Sequence, residues 1–507
     1  MGPNRPNYGT PVFIKHTDDI LRSIAAALWT TKETDIPSKA VNFYDYDGKR
    51  VYSFTKAEFL GLDALPGNPA HDGLTAQGWN WQLEEAKAYV QKYGILDIGQ
   101  NYITDDGKTR LYIEIGYPEN LSVTLKFNQS VADGTVIEWG DGTSETVATA
   151  GDNEISHTYP AEGNYVATMQ AVSGCSLRLG TNTKNETTLV AVGGLKGFFY
   201  QGASGRVSGR DALVGLEIGA DVTNIGAGAF AYCTRLALIT IPTTCNVIRD
   251  IAFFGCAKLQ AIVLPRGTES VGQLGFSFDY EMKHAILPPT VTTVGTAAFK
   301  TCTELQRMCI PEGVTAITLN AFCGLHTAKE IVVPDTVAGT IGNTAFAHCY
   351  CLEEINIPEG VTVIGTGAFA QCHNLRKCDL PEGLTTISAQ AFISCFGFKD
   401  FVIPSTVTSI GAFAFLYNDG TSIFRVKATT PPALEPTAFT AIRAEDLLIY
   451  VPYSTDHSVL EAYKTATGWS SKADSIVEEE GDGTVEETNE ETSDETTEET
   501  TEEGGGE

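Results

Sequence analysis

The side chains with most capacity for chemistry in this 507-residue chain are its 12 cysteines and 8 histidines. Six cysteines, Cys233, Cys256, Cys302, Cys349, Cys372 and Cys395, each follow a phenylalanine by three residues. Such a series suits a metal site or disulfide ladder, or else a column of small buried thiols. The thiol column is preferred. Equivalent positions on strands about 4.8 Å apart have Cβ vectors that run parallel and do not converge. The consecutive members Cys349, Cys372 and Cys395 also cannot all pair among themselves. No C-x-x-C occurs, so neither zinc binding nor dithiol redox chemistry is suggested. His348 beside Cys349 and His373 beside Cys372 imitate Cys–His pairs. If those cysteines point into a core, their neighbours point away from it, which leaves surface histidines. No P-loop, dinucleotide fingerprint, H-E-x-x-H or G-x-S-x-G is present. The expectation is a protein that is not an enzyme, with no catalytic residue, metal or cofactor.

The elements that position the cysteines repeat. Phe230, Phe253, Phe276, Phe299, Phe322, Phe346, Phe369, Phe392, Phe415 and Phe439 recur every 23 or 24 residues, and prolines from Pro242 to Pro404 keep the same step. A period of this size predicts a solenoid with one supersecondary unit per repeat. Within a unit such as LEEINIP (352–358), Leu352, Ile355 and Ile357 face inward from a short strand. Proline ends the strand because it has no N–H for the ladder. A second short strand follows (Val361 and Ile364), and then a Gly and Ala-Phe turn drops Phe369 into the core. One coil buries a few large side chains at about 1.5–3 kcal/mol each, against about 1–2 kcal/mol of backbone entropy per ordered residue. Coils must therefore stack.

The phased P…I-G…AF…C…L string over about residues 213–448 closely resembles the BspA-like leucine-rich repeats of bacterial surface proteins and of some phage and protist proteins. IYVPYSTDHSVLEAYKTATGW (449–469) is similar to the module that closes such arrays. WGDGT (139–143), HTY (157–159) and GNYVATMQAV (163–172) resemble a PKD domain, which implies an immunoglobulin-like spacer or adhesion module. Asp141 has a calcium-ligand reading and a turn-forming one, and the turn is preferred. Residues 1–116 are similar to N-terminal regions of proteins encoded by phages and prophages of gut bacteria.

The fold expected is mainly β and multidomain. Residues 1–116 form an α+β attachment module, 117–200 a β-sandwich, 201–448 the solenoid, 449–476 a helical cap and 477–507 a disordered acidic tail. In the first module Thr17 caps a helix DDILRSIAAALW with Ile20, Ile24 and Leu28 on one face. Hairpins turn at Asp47-Gly48 and Asp106-Gly107, and LTAQGWNWQLEEAKAYVQKYG reads as a helix with Leu83, Ala86, Tyr89 and Val90 inward. DYDG and TDDG lack the spacing and terminal Glu of an EF-hand loop.

The net charge is −29; residues 477–507 supply 15 of the negative charges, leaving −14 to the first 476. That acidity argues against nucleic acid or anionic membrane as a partner. No run of 18 apolar residues predicts a membrane span, and MGPNRPNYGTPVFIKHTDD has no apolar core of a secretory signal.

The outward position two residues before each proline reads Thr240, Val263, Ile286, Cys309, Val332, Asn356, Asp379 and Val402. Val263, Ile286, Cys309 and Val332 form an apolar stripe bordered by His284, Arg307 and Lys329, the candidate binding residues. β-propensity alone also accounts for such a stripe; an interface is the alternative. The reading is modular recognition: a phage virion surface protein, on a tail or head appendage, that binds a host-surface protein or glycan. Other virion subunits would be further partners, and self-association stays open. A bacterial surface adhesin and a purely structural decoration or baseplate subunit are the rivals.

Overall fold

The computed structural model describes residues 40–116, 121–180, 198–201, 212–418, 423–442 and 447–480. The helix expected after Thr17 and the acidic tail beyond residue 480 lie outside these residues. The chain is mainly β, as its sequence predicts, with a solenoid of about 11 turns.

The N-terminal module is a small sheet with two helices. β1 (Val41–Tyr44) pairs antiparallel with β2 (Arg50–Phe54) around the Asp47-Gly48 turn, and parallel with β4 (Leu96–Thr104). β3 (Leu74–Trp79) completes the order β2-β1-β4-β3. Thr55 opens the short helix α1 (Lys56–Leu60) with a capping box to Glu58. The segment read as one helix from Leu74 divides in two. Its first part is β3, and helix α2 starts only at Leu83 and runs to Tyr93. Gly78, at φ 86, breaks the helical path, and pairing with β4 provides the better alternative. Ala86, Tyr89 and Val90 face inward from α2, with Leu83 partly buried.

The second expected hairpin does not form. β5 (Thr109–Ile115) follows the Asp106-Gly107 turn but leaves the module's sheet and pairs with β10 (Gly163–Ala171) and β13 (Leu213–Glu217). The structural boundary therefore falls before β5 and not at residue 116. β6 (Ser122–Gln129), β7 (Thr135–Glu138), β8 (Ser144–Val147), β9 (Gly151–Thr158), β11 (Leu177–Leu179) and β12 (Phe199–Gln201) complete two sheets. Both sheets run on into the solenoid: β13 pairs with Leu238–Thr240, and β11 pairs with β14 (Val222–Ile225). The sandwich is thus the N-terminal cap of the array, and one hydrophobic core extends from Leu111 to Ile476.

At the sandwich's tight turn Trp139 is buried and stacks on His157, with centroids 4.6 Å apart. Asp141 accepts hydrogen bonds from the Thr143 amide (3.0 Å) and hydroxyl (2.6 Å) and sits 2.8 Å from His157 Nε2. Burial works against its charge, but these bonds prevail and hold the carboxyl down at about 2. One of its oxygens is committed to Thr143 within the turn and the other to His157 on the neighbouring strand.

In the solenoid the ten phenylalanines from Phe230 to Phe439 stack ring on ring. Neighbouring centroids lie between 5.1 Å (Phe253–Phe276) and 6.0 Å (Phe299–Phe322) apart, in nearly parallel planes. Where the residue after the second strand is glycine, as at Gly272, Gly295, Gly342, Gly365 and Gly411, it is a close-approach residue. A Cβ on Gly365 would lie 2.5 Å from the Ile341 carbonyl oxygen of the coil before. The cysteine column is buried and free of disulfides, and its thiols have a job. Cys256, Cys302, Cys349, Cys372 and Cys395 donate to the carbonyls of Phe230, Phe276, Phe322, Phe346 and Phe369, at 3.0–3.4 Å. Each thiol gives a buried carbonyl of the preceding coil a further partner.

Two coils replace the thiol with another polar group. Asp279 and Asn418 occupy the equivalent position, and each accepts from a backbone amide of the coil before: Cys256 N–H at 2.7 Å and Cys395 N–H at 2.8 Å. Burial keeps the Asp279 carboxyl well above the ordinary carboxylate range, against the pull of the Cys256 and Gly255 amides.

At the far end, helix α3 (Ser458–Thr465) packs on the strand Ile476–Glu478, the last of the sheet. Trp469 closes the phenylalanine column against Phe439 at 6.1 Å and donates to the Pro432 carbonyl (2.7 Å).

Two measurements check this packing. Gly365→Ala should lower stability by about 1–3 kcal/mol, because backbone cannot retreat as a side chain does; a chemical-denaturation midpoint reads it. Asp279→Asn keeps the acceptor for Cys256. The unfolded aspartate titrates near 4, so above that pH only the folded state holds the proton, and wild-type stability falls as pH rises. The variant should exceed wild type by about 1–3 kcal/mol at pH 7, with the gap closing at about pH 4.

Candidate functional site

The apolar stripe is not an open surface. Val263, Ile286, Cys309 and Val332 are 2, 1, 8 and 6% exposed, and the N-terminal module covers them. Tyr44 packs on Val263 and Ile286; Cys309 and Val332 join the module's own core. The expectation that a partner reaches these residues is corrected accordingly: they are an interface, but one within the chain. An apolar stripe calls for a cover, and the module supplies it.

Hydrogen bonds fix the register of this docking. Gln77, Asn80, Trp81 and Tyr89 donate side-chain hydrogens to the carbonyls of Ile241 (3.4 Å), Leu264 (3.1 Å), Leu287 (3.0 Å) and Ile310 (2.8 Å). Each acceptor precedes the proline of its coil, so four successive coils present one carbonyl apiece and the module answers each with one donor. Ion pairs border the contact. Arg266 grips Glu85 with both terminal nitrogens (2.7 and 2.9 Å), and Lys92 reaches Glu312 (2.7 Å) and Asp335 (3.1 Å).

Two of the candidate polar residues are consumed in the same interface. His284 is buried and packs against Tyr44, the rings tilted with centroids 4.2 Å apart. Burial, reinforced by Lys283, Arg50 and Arg307, pushes its imidazole down to about 3, so it is neutral. Arg307 is 8% exposed and bonds Asp97 (3.2 Å) and Glu330 (2.8 Å). Burial opposes its charge, yet the two carboxylates hold it protonated; burial raises the Asp97 carboxyl, and Arg307 pulls it back. Lys329 alone of the candidate set is exposed.

What remains open is the second half of the same sheet. Beyond the module's edge lies a groove of about 1050 Å³. Tyr93, Ile95 and Arg50 of the module form one wall, and its floor carries Glu354, Asn356, Lys377 and Asp379. The floor charges are ordered: Arg376 pairs with Glu353, and Lys377 lies 3.7 Å from Asp379. Asn356, exposed on its strand, reaches back to the preceding coil, donating to the Val333 carbonyl and accepting from the Val333 amide (3.2 Å). Behind the strands His326, Tyr350, His373 and Phe396 stack in a half-exposed column at 4.6–5.1 Å. No cluster of three or more metal-ligating side chains occurs among the described residues, and no helix among them is long and apolar enough to cross a membrane.

Sequence reasoning missed the module's role. The signal was present in QGWNW (77–81), where Trp79 fills the module's core while Gln77, Asn80 and Trp81 carry donors that reach the coils, but reading it as helix hid the pattern. The interface predicts a mutational effect. Arg307→Ala leaves the Asp97 carboxylate buried without its cation, which costs about 3–5 kcal/mol. Hydrogen exchange should then rise across residues 41–104 and in the strands at 284–332 they cover, while the coils after residue 339 keep their protection.

Comparison with known proteins places the repeat. Residues 223–339 and 339–430 match the BspA type Leucine rich repeat region, in six copies. No curated protein matches the chain significantly. Among solved structures, a leucine-rich repeat protein from Bacteroides ovatus is 23% identical over 52% of this chain and 70% of its own, with a TM-score of 0.39. A leucine rich cell surface protein from Faecalibacterium prausnitzii is 24% identical over 50% and 82%, with a TM-score of 0.29. The pneumococcal vaccine antigen PcpA is 19% identical over 52% and 86%, with a TM-score of 0.28. The array at 223–430, with its stacked phenylalanines, pre-proline strands and phased cysteines, is the part of the chain that matches the BspA type Leucine rich repeat region.

Proposed function

We propose that the protein is a non-enzymatic recognition module whose binding face is the uncovered half of the solenoid's main sheet. One observation carries the reading: the N-terminal module occupies the first coils of that sheet and stops, leaving a groove between its Tyr93 edge and the coils at 353–379. The groove offers paired charges on a rigid floor, a chemistry that orients a protein or glycan. The sandwich, with its buried Trp139 and Asp141 turn, is read as a PKD-like spacer that also seals the array.

The setting we propose is outside a bacterial cell, on a phage virion appendage or on the bacterial surface itself. In either place a chain of net charge −29 stays soluble. Proteomics of purified virions and of washed cell envelopes separates the two, since each places the protein in one fraction only. For the binding face, Arg376→Ala with Lys377→Ala should weaken attachment to target cells by about tenfold, or roughly 1.4 kcal/mol. Unchanged attachment by the folded variant would remove the groove from consideration.

A further inference from the structure

The solenoid carries a second apolar patch. On its last strands the outward positions follow the register Val402–Arg425–Tyr450–Val477 and Asp400–Ile423–Leu448. Val402 is 47% exposed, where the equivalent Val263 and Ile286 are sealed, and Leu448 in the other row is 40% exposed. Arg425 lies at the centre. Its Nε is 2.8 Å from Asp400, its Nη1 is 3.7 Å from Glu479, and its guanidinium sits 4.7 Å over the Tyr450 ring. An arginine fixed among a tyrosine and aliphatic side chains is the composition of an interface hot spot.

We propose that this patch is the docking site of a second protein, one of net positive charge that presents aliphatic and aromatic anchor residues. The inference rests on the recognition reading above and names the class of its partner. Repetition of an existing interface position is the first argument. Val402, with two coils between it and the module's edge and on a separate four-stranded sheet, stands two residues before its proline, as do Val263 and Ile286 under the N-terminal module. There the cover is protein: aromatic side chains over aliphatic ones, with hydrogen-bond donors at the strand ends. Charge is the second argument. A net −29 opposes a second copy of this chain and steers a cationic partner toward it. On the patch itself Arg425 and Lys427 are already answered by Asp400 and Glu479, so the partner need not bring a carboxylate.

The test uses the full chain and two dodecapeptides of alternating leucine and tryptophan, spaced by lysine in one and glutamate in the other. Binding is followed calorimetrically against wild type and Val402→Asp/Leu448→Asp. The lysine peptide is expected to bind wild type and to lose at least about tenfold in affinity on the variant, with the glutamate peptide weaker throughout. Attraction by the acidic tail alone would leave the variant's affinity equal or higher, and that result overturns the proposal. Two other results also overturn it. One is a concentration-dependent dimer in sedimentation that the variant abolishes, which assigns the patch to a second copy. The other is a neutral glycan whose binding the variant abolishes. Should the aspartates impair folding, Val402→Ala/Leu448→Ala carries the same comparison. Lost attachment in the Arg376/Lys377 variant together with unchanged peptide affinity here would sink only this inference. Unchanged attachment there and unchanged affinity here would sink the recognition reading as well.

Discussion

Everything in this molecule depends on the fact that one coil cannot bury its own apolar surface. A 23-residue coil exposes two flat faces of core, and only a neighbour of the same shape covers them. The phenylalanine column and the I-G glycines are two sides of this requirement. The rings fill the axis at 5.1–6.0 Å, and glycine lets backbones approach where a Cβ would strike the preceding coil. The same requirement explains the ends. The sandwich donates both of its sheets to the first coils, and Trp469 with helix α3 shuts the last. A cap with a separate core would leave one face of the column wet.

The thiols show how the array handles polar groups in that core. A turn that drops phenylalanine inward takes its carbonyl inside as well. Cysteine is small enough to fit beside the ring and is a weak donor that can reach that oxygen. Asp279 and Asn418 show that the position accepts other short polar side chains, which then bond an amide of the preceding coil. For the aspartate the consequence is a buried carboxyl that keeps its proton.

The outer surface of the main sheet is shaped by its own proline rule. A proline after each strand leaves the preceding carbonyl at a repeated position on the rim. The module reads four of these carbonyls with Gln77, Asn80, Trp81 and Tyr89. Because the acceptors recur once per coil, the module's register along the array is set by backbone geometry, while the apolar stripe supplies the area. Recognition by any further partner takes place on what this internal one leaves open.

The sequence by itself determined the repeat and its contents. Phe369 and Cys372 face inward, Pro358 ends its strand, and a period of 23 or 24 residues admits only stacked coils, because these follow from local geometry repeated many times. It also exposed the Val263–Val332 stripe as anomalous. Only the tertiary structure decided what covers it. The contacts joining Trp81 to Leu287 and Asn80 to Leu264 span 206 and 184 residues, and no local periodicity records a pairing at that distance. The same holds for β5: its alternation is legible, but its choice of β10 and β13 over β4 is a competition between sheets, settled by which one completes the common core.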